Sequence, residues 1–264
     1  MARKRRGEGQ TALVTGASSG IGAALAEQFA KDGYTLVLVA RSAEGLAKVA
    51  DALAEKHHVQ ATVVPCDLGV PGGGAALVDE LKRLGIGVDV LVNNAGFGDI
   101  GPFADSDLSK QLGMVDLNVR AVVELTRMLL PAMVAAKRGG VLNTASTAAY
   151  QPGPFMAVYY ASKAFVLSFT EALNDELKGT GVTATALCPG PVVTGFQDRA
   201  EMHQAKLLAY VPLTSARHVA RKGYLAFRRG RRSVIPGVFN WLLAASVPFT
   251  PRSLVLRIAR FLQG

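Results

Sequence analysis

Thr15-Gly16-Ala17-Ser18-Ser19-Gly20-Ile21-Gly22 is the stretch on which the fold turns. The apolar, β-branched run Thr11–Thr15 leads into it and the amphipathic run Ile21–Lys31 leads out. A short apolar run, a glycine-bearing turn and a helical pattern in that order predict strand, sharp turn and helix. The three glycines let the backbone double back and come close to an anion. The N–H groups and positive dipole end of the helix would then face a diphosphate.

After this stretch the same alternation repeats. Strand-like runs occur at Thr35–Ala40, Ala61–Pro65, Asp89–Val92, Gly140–Ala145, Val182–Leu187 and Ser233–Ile235. Helical patterns lie at Ala43–Glu55, Gly74–Leu84, Leu108–Lys137 and Phe155–Lys178. Repeated strand–helix units predict an α/β fold, a single-domain, doubly wound parallel sheet of the Rossmann type with about seven strands and helices on both faces. The 264 residues, half of them hydrophobic and 28 of them glycine, suit such a sheet. No internal repeat or linker interrupts it, and Val70-Pro71-Gly72-Gly73-Gly74 reads as a loop. Cys66 and Cys188 sit in apolar runs without metal-ligand spacing and read as buried free thiols. No apolar run at the amino terminus resembles a signal peptide, so a cytoplasmic location is expected.

The net charge of +9 is unevenly placed. Residues 1–7 carry four cations, and residues 202–264 carry eleven with no carboxylate, leaving a net −6 for the body between them. Such an asymmetry bears on surface partners and not on the fold.

Ligands of doubly wound sheets bind outside the carboxyl ends of the strands. The second strand ends Val39-Ala40-Arg41-Ser42. Ala40 cannot accept a hydrogen bond from a ribose 2′-hydroxyl, whereas Arg41 could clamp a 2′-phosphate, which favours NADP over NAD. Asp67 and Leu68 follow the third strand, where a carboxylate could meet an adenine amino group. Asn93-Asn94-Ala95-Gly96 ends the fourth, Ala145-Ser146 the fifth and Cys188-Pro189-Gly190-Pro191 the sixth. In the helix expected after Phe155, Tyr159 and Lys163 stand four apart and share a face. An ammonium beside a phenol favours the phenolate and tunes it for acid/base work.

As a set these motifs resemble the short-chain dehydrogenase/reductase family, in its shorter single-domain branch. Thr15–Gly22, Asn93–Gly96, Asn118, Ser146, Tyr159 with Lys163, and Pro189–Gly190 with Thr194 come in the family's order, and 13 residues separate Ser146 from Tyr159. The longer epimerase-type relatives have another glycine spacing and an added carboxyl-terminal substrate region, neither evident here. The resemblance covers residues 8–200. It implies a mobile substrate lid at 191–213 and leaves residues 228–264 as a basic, apolar, helical extension. It further implies that Tyr159 gives a proton to a carbonyl oxygen in reduction, or takes one from an alcohol in oxidation. Lys163 would lower the Tyr159 pKa and hold the nicotinamide ribose. Ser146 would hydrogen-bond the reacting oxygen. Asn118 would kink or hydrate its helix and link Lys163 to solvent through water. Tyr160 fails the motif because it lies only three residues before Lys163. The implied contacts to NADP(H) are Gly16, Ser18, Ser19, Gly20, Ile21, Gly22, Arg41, Asp67, Leu68, Asn94, Ala95, Gly96, Tyr159, Lys163, Pro189, Gly190, Val192 and Thr194. Ala145 stands where the family often has a second serine, away from the proton chemistry. Dimers and tetramers are usual in such families, so a homo-oligomer is expected.

The expected substrate lining is apolar: Phe97, Ala148, Tyr150, Pro152, Phe155 and Met156, with Phe196, Leu207, Leu208 and Tyr210 from the lid. It has no charged clamp and points to a lipophilic ketone or secondary alcohol. A non-catalytic, dinucleotide-sensing protein on the same fold is the alternative, though it would have no need of Ser146, Tyr159 and Lys163 together. In the tail, Arg228-Arg229-Gly230-Arg231-Arg232 precedes an apolar run broken by Pro236 and Pro248, then an amphipathic stripe of Leu254, Val255, Ile258, Phe261 and Leu262. Contact with an anionic membrane surface, packing on the body and packing in an oligomer interface remain open for it. Nucleic-acid binding lacks a recognition motif or stacking aromatics.

Overall fold

The computed structural model describes residues 6–193 and 213–263. The chain runs β1 (Thr11–Thr15), α1 (Gly20–Lys31), β2 (Thr35–Ala40), α2 (Ala43–His57), β3 (Ala61–Pro65), α3 (Gly73–Arg83) and β4 (Val90–Asn93). It continues through α4 (Leu108–Val115), a π-helical turn (Asp116–Arg120), α5 (Ala121–Ala136), β5 (Gly140–Thr144), α6 (Ala157–Glu176) and β6 (Thr183–Leu187). The short strands β7 (Val192–Val193) and β8 (Thr214–Ser215) come next, then α7 (Ala216–Arg228), β9 (Ser233–Val234), α8 (Val238–Ser246) and α9 (Arg252–Gln263).

Seven strands form one parallel sheet in the order β3-β2-β1-β4-β5-β6-β9. Chain order reverses between β1 and β4, so the loops after these strands splay apart and leave a crevice at their carboxyl ends. The strands are apolar on both faces because helices cover both. Leu25 and Phe29 of α1 pack with Val219 and Phe227 of α7 under one face. Leu77 and Leu81 of α3, Leu125 of α5 and Leu173 of α6 pack under the other. Inside the sheet, Asn93 Nδ2 donates to Asn143 Oδ1 at 2.9 Å, and Asn143 Nδ2 donates to Thr170 Oγ1 at 2.9 Å. This buried ladder fixes α6 to the centre of the sheet; an unmatched amide there would cost about 1–3 kcal/mol.

The expected strands agree with those found to within a residue or two, as hydrogen-bond patterns at element ends usually do. The long helical stretch 108–137 differs in kind. It is interrupted by the π turn whose centre is Asn118, the residue expected to kink it. β7 and β8 pair in parallel, Val192 with Thr214, so the chain leaves and re-enters the body at adjacent strands. The expected lid residues Thr194, Phe196, Leu207, Leu208 and Tyr210 lie outside the described residues. Among the described residues, no helix is long and apolar enough to cross a membrane.

Candidate active site

At the end of β1 the glycines sit where side chains cannot. Gly16 and Gly20 have φ of +65° and +58°, the left-handed region that costs a β-carbon least when it is absent. A β-carbon on Gly22 would lie 2.2 Å from the Gly16 carbonyl oxygen, so helix α1 is packed against the turn it follows. Ser19, the residue before α1, makes no side-chain cap, and the first turn holds no carboxylate. The helix dipole therefore opens onto this cradle without a competing negative group.

The loop after β4 is tied to the same point. Thr15 Oγ1 accepts from the backbone N–H groups of Asn94 and Ala95 at 2.9 and 3.0 Å, and Asn94 Nδ2 donates to the Thr15 carbonyl at 3.0 Å. A β-carbon on Gly96 would stand 2.9 Å from Asn118 Oδ1 and 3.3 Å from Lys163 Nζ. Asn93, by contrast, points into the sheet and not toward the crevice. Arg41 and Ser42 follow β2 on the rim, with the Arg41 side chain exposed. Asp67 is engaged locally, its Oδ1 accepting from Gly69 N at 2.8 Å, and Leu68 beside it is buried.

The three polar residues of the expected proton chemistry converge from two elements. Ser146 follows β5, where its Oγ accepts from Ala148 N at 3.1 Å and so caps a 3₁₀ turn at Thr147–Tyr150. Tyr159 and Lys163 are presented by α6 on one face, the Lys163 Nζ 5.8 Å from the centre of the Tyr159 ring. Lys163 is buried and donates to the Thr144 carbonyl at 2.9 Å. Burial pushes its ammonium down to about 8, with the nearby Cys188 opposing. Burial likewise pushes the Tyr159 phenol up to about 12, against a hydrogen bond with the Ser146 side chain. Lowering of the phenol by Lys163, expected from their spacing, is not among the causes of this shift, which desolvation dominates. Asn118 is tied to its neighbours by three hydrogen bonds. Its amide exchanges hydrogen bonds with the Phe97 backbone, N–H to Oδ1 at 3.2 Å and Nδ2 to carbonyl at 3.0 Å, and Nδ2 also donates to Ser162 Oγ at 3.1 Å. It braces the wall behind Lys163, whose Nζ bonds to Thr144.

Ser146, Tyr159, Lys163 and most of the glycine cradle border one cleft of about 830 Å³, which Asn118 does not line; its size is within the range of ligand sites. Its lining runs from Gly16, Ser18, Ser19, Gly20 and Ile21 past Arg41, Asp67 and Leu68, then through Asn94, Ala95 and Gly96 to Ser146, Tyr159 and Lys163. Pro189, Gly190 and Val192 close its edge, whereas Gly22 shapes the turn from behind. Thr194 lies outside the described residues.

Of the expected substrate lining, Phe97, Ala148 and Met156 border the cleft. Tyr150, Pro152 and Phe155 do not. The half-buried Tyr150 turns its hydroxyl to Cys188 Sγ at 3.7 Å, and Arg260 of α9 stacks over the Phe155 ring at 5.5 Å. The opposite wall is made by α8 and α9, through Leu243, Ala244, Val247, Val255, Ile258 and Leu262. Asn240 of α8 packs against Gly190 so closely that a β-carbon there would lie 2.5 Å from its side-chain amide. Gln263 Nε2 donates to the Tyr160 hydroxyl at 2.6 Å, and its buried Oε1 has no hydrogen-bond partner among the described residues. The tail thus packs on the body over the cleft. Its apolar stripe was legible in the sequence, but which neighbour it covers depends on contacts between Gln263 and Tyr160, 103 residues apart. Among the described residues, no group of three or more His, Cys, Asp or Glu could hold a metal ion.

A glycine cradle at the switch point, a rim arginine and a serine–tyrosine–lysine set in one crevice define a dinucleotide-dependent class of protein. The sequence model of the short chain dehydrogenases matches residues 10–205, and the chain belongs to the short-chain dehydrogenase family of oxidoreductases. Among its relatives, the ketoacyl reductase HetN of a Nostoc species is 39% identical over 184 residues, which is 70% of this chain and 64% of HetN. The very-long-chain 3-oxoacyl-CoA reductase of Anas platyrhynchos is 37% identical over 194 residues, 71% of this chain and 61% of the duck protein. The matches therefore span less than two thirds of both relatives. A short-chain dehydrogenase of Sphingobium yanoikuyae, solved in complex with NADPH, superposes with a TM-score of 0.80 at 30% identity, covering 91% of this chain and 94% of that one.

Proposed function

We propose that the chain is an NADP(H)-dependent oxidoreductase that interconverts a lipophilic ketone and its secondary alcohol. The observation that carries this reading is the continuity of the cleft. A dinucleotide's diphosphate fits the glycine cradle at one end, and an apolar wall stands beside Tyr159 at the other. The NADPH bound by the Sphingobium relative and the oxoacyl substrates in the names of the two reductases agree with it.

The residues fit the cofactor: Gly16 and Gly20 line the cleft with no side chain to fill it, Gly22 lets α1 pack close behind the turn, and Arg41 adds a cation after β2. The gap at Gly96 lies beside Lys163, where a ribose would meet Nζ. When bound, NADPH supplies the hydride. The chain's own part is the proton and the position. Burial keeps the Tyr159 hydroxyl protonated, so the proton is present to be given, while its release to a carbonyl oxygen gaining negative charge needs the help of the cation beside it. Ser146 shares a hydrogen bond with that phenol and offers a second contact to the same oxygen. Lys163, charged below about pH 8, stabilises the phenolate left after transfer. In the oxidative direction the proton travels back along the same contacts.

Consumption of NADPH with a panel of apolar ketones tests this reading. Turnover of oxoacyl, steroidal or aromatic ketones is expected; turnover confined to charged sugars contradicts the lipophilic substrate. Binding of NADPH with no turnover on any carbonyl compound would favour the sensor alternative. Two finer readings complete the proposal. The exposed apolar residues Leu108, Leu112, Val115, Val123 and Met128 of α4 and α5 form the face on which copies associate. The basic, apolar tail meets an anionic lipid surface.

A further inference from the structure

A second cavity, of about 420 Å³, lies outside the catalytic cleft between α7, β9 and the start of α8. Its lining divides sharply. Lys222, Arg229 and Arg231 supply three cations, while Val238 and Trp241 supply an apolar side. Neighbouring Arg228 and Arg232 are matched, to Asp32 at 2.6 Å and to Glu171 at 3.6 Å. Lys222, Arg229 and Arg231 have no carboxylate partner among the described residues, and no Asp or Glu occurs anywhere after residue 201. Three like charges around one hollow repel one another unless an anion joins them.

The apolar side of this hollow continues onto an open surface. On α8 and the turn after it, Val238 is 76%, Trp241 52% and Phe249 89% exposed, with Phe239 and Leu242 exposed beside them. On α9, Leu254 and Phe261 are exposed next to Arg252, Arg257 and Arg260. Large apolar side chains held in water beside cations and no anion match the boundary layer of an anionic bilayer, where acyl chains lie under phosphates. Resting on the lipid contact read above, we infer that the Lys222–Arg229–Arg231 cavity takes the phosphate-bearing headgroup of an anionic lipid while Val238, Trp241 and Phe249 enter the acyl boundary. The same two helices wall the catalytic cleft, so the surface that meets the membrane adjoins the path of a lipophilic ketone.

Trp241 is the chain's single tryptophan and reports on the contact directly. The full chain is titrated with vesicles of phosphatidylcholine alone and of phosphatidylcholine with phosphatidylserine, following Trp241 emission and co-flotation. The inference expects a blue shift and flotation with the anionic vesicles, weakened by added salt. Arg229→Gln with Arg231→Gln should lower that affinity about twenty-five-fold, from roughly fivefold for each cation near the surface. Phe249→Ser should weaken flotation while leaving the salt dependence in place. Turnover of a water-soluble ketone should be unchanged in these variants, because none of the three residues lines the catalytic cleft. Flotation that ignores both headgroup charge and the two arginines would overturn the cavity's role but not the lipid contact. Absence of flotation, with Trp241 instead shifting on self-association or on binding inorganic phosphate, would overturn both. Neither result would touch the oxidoreductase reading, which the ketone assay tests alone.

Discussion

At the ends of β1, β4 and β5 the cleft is made of backbone held by side-chain hydrogen bonds, while across from them α8 and α9 offer it side chains from helices that bury little of themselves. On the first side, Thr15 and Asn94 lock two loops together, and Lys163 is anchored to Thr144. α6, which presents Tyr159, buries seven residues including Val166, Leu167 and Leu173. On the second side, α9 buries Val255, Ala259 and Gln263, and α8 buries Asn240 and Ala244. Chemistry that must be held within a fraction of an ångström sits on the over-determined side. The proposed substrate wall sits on elements that bury few residues, whose packing can change at small cost. Substitutions on the two sides should therefore fail differently, in turnover on one and in substrate choice on the other.

The largest separation is expected at Lys163. Lys163→Met should lower kcat/KM for ketone reduction by roughly 10²–10⁴-fold, the usual worth of positioned proton transfer. Its Tm is not expected to fall, because a buried ammonium is exchanged for an apolar side chain of similar length. pH sharpens the point. Folding lowers the Lys163 pKa from 10.5 to about 8, so between those values the native chain holds fewer protons than the unfolded one. The stability contributed by this group then rises with pH through that window, while kcat/KM for reduction should decline above about pH 8. Activity and stability moving together there would contradict the assigned role.

Gly22→Ala comes next. Its new β-carbon would meet the Gly16 carbonyl oxygen at 2.2 Å, a backbone contact that yields only if the turn opens. Overpacking of this kind costs about 1–3 kcal/mol, so the KM for NADPH should rise by about five- to a hundredfold. Arg41→Ala should weaken NADPH by about tenfold or more, the worth of a charge-assisted hydrogen bond, with little change for NADH. Equal loss for both cofactors would remove Arg41 from the 2′-phosphate. The smallest effect belongs to the far wall. Gln263→Leu loses the hydrogen bond to Tyr160, worth about 1 kcal/mol, so a Tm drop of about 2–4 °C is expected. Its KM for a bulky ketone should change while that for NADPH does not. A change in NADPH affinity of Arg41's size would erase the contrast between the walls.

The same contrast explains what the sequence disclosed. Strands β1–β6 and the helices between them announce themselves by period, because both faces of a parallel sheet must be apolar. Gly16, Gly20 and Gly22 were legible because only glycine meets their geometry. Ser146, Tyr159 and Lys163 were legible because their order and spacing are those of the family. Environment was not legible. Spacing places the Lys163 ammonium near the Tyr159 phenol, but only coordinates show that burial raises one group and lowers the other. Asn118 was expected at a kink, and the π turn is there, yet its bond to the Phe97 backbone depends on a loop 21 residues away. Tyr150 and Phe155 were misassigned to the substrate wall because aromatic character does not say which way a side chain turns. The α8–α9 wall was missed for the same reason: an amphipathic stripe specifies that a face is covered and not what covers it.

In the proposed reaction the Tyr159 hydroxyl delivers the proton in a reduction driven by NADPH. Tyr159→Phe removes that one oxygen and keeps the ring. On any ketone that the unaltered chain reduces, the variant should lose about 10²–10⁴-fold in turnover while its affinity for NADPH, measured by fluorescence titration, stays the same. Turnover close to that of the unaltered chain, with NADPH bound equally well, would contradict it.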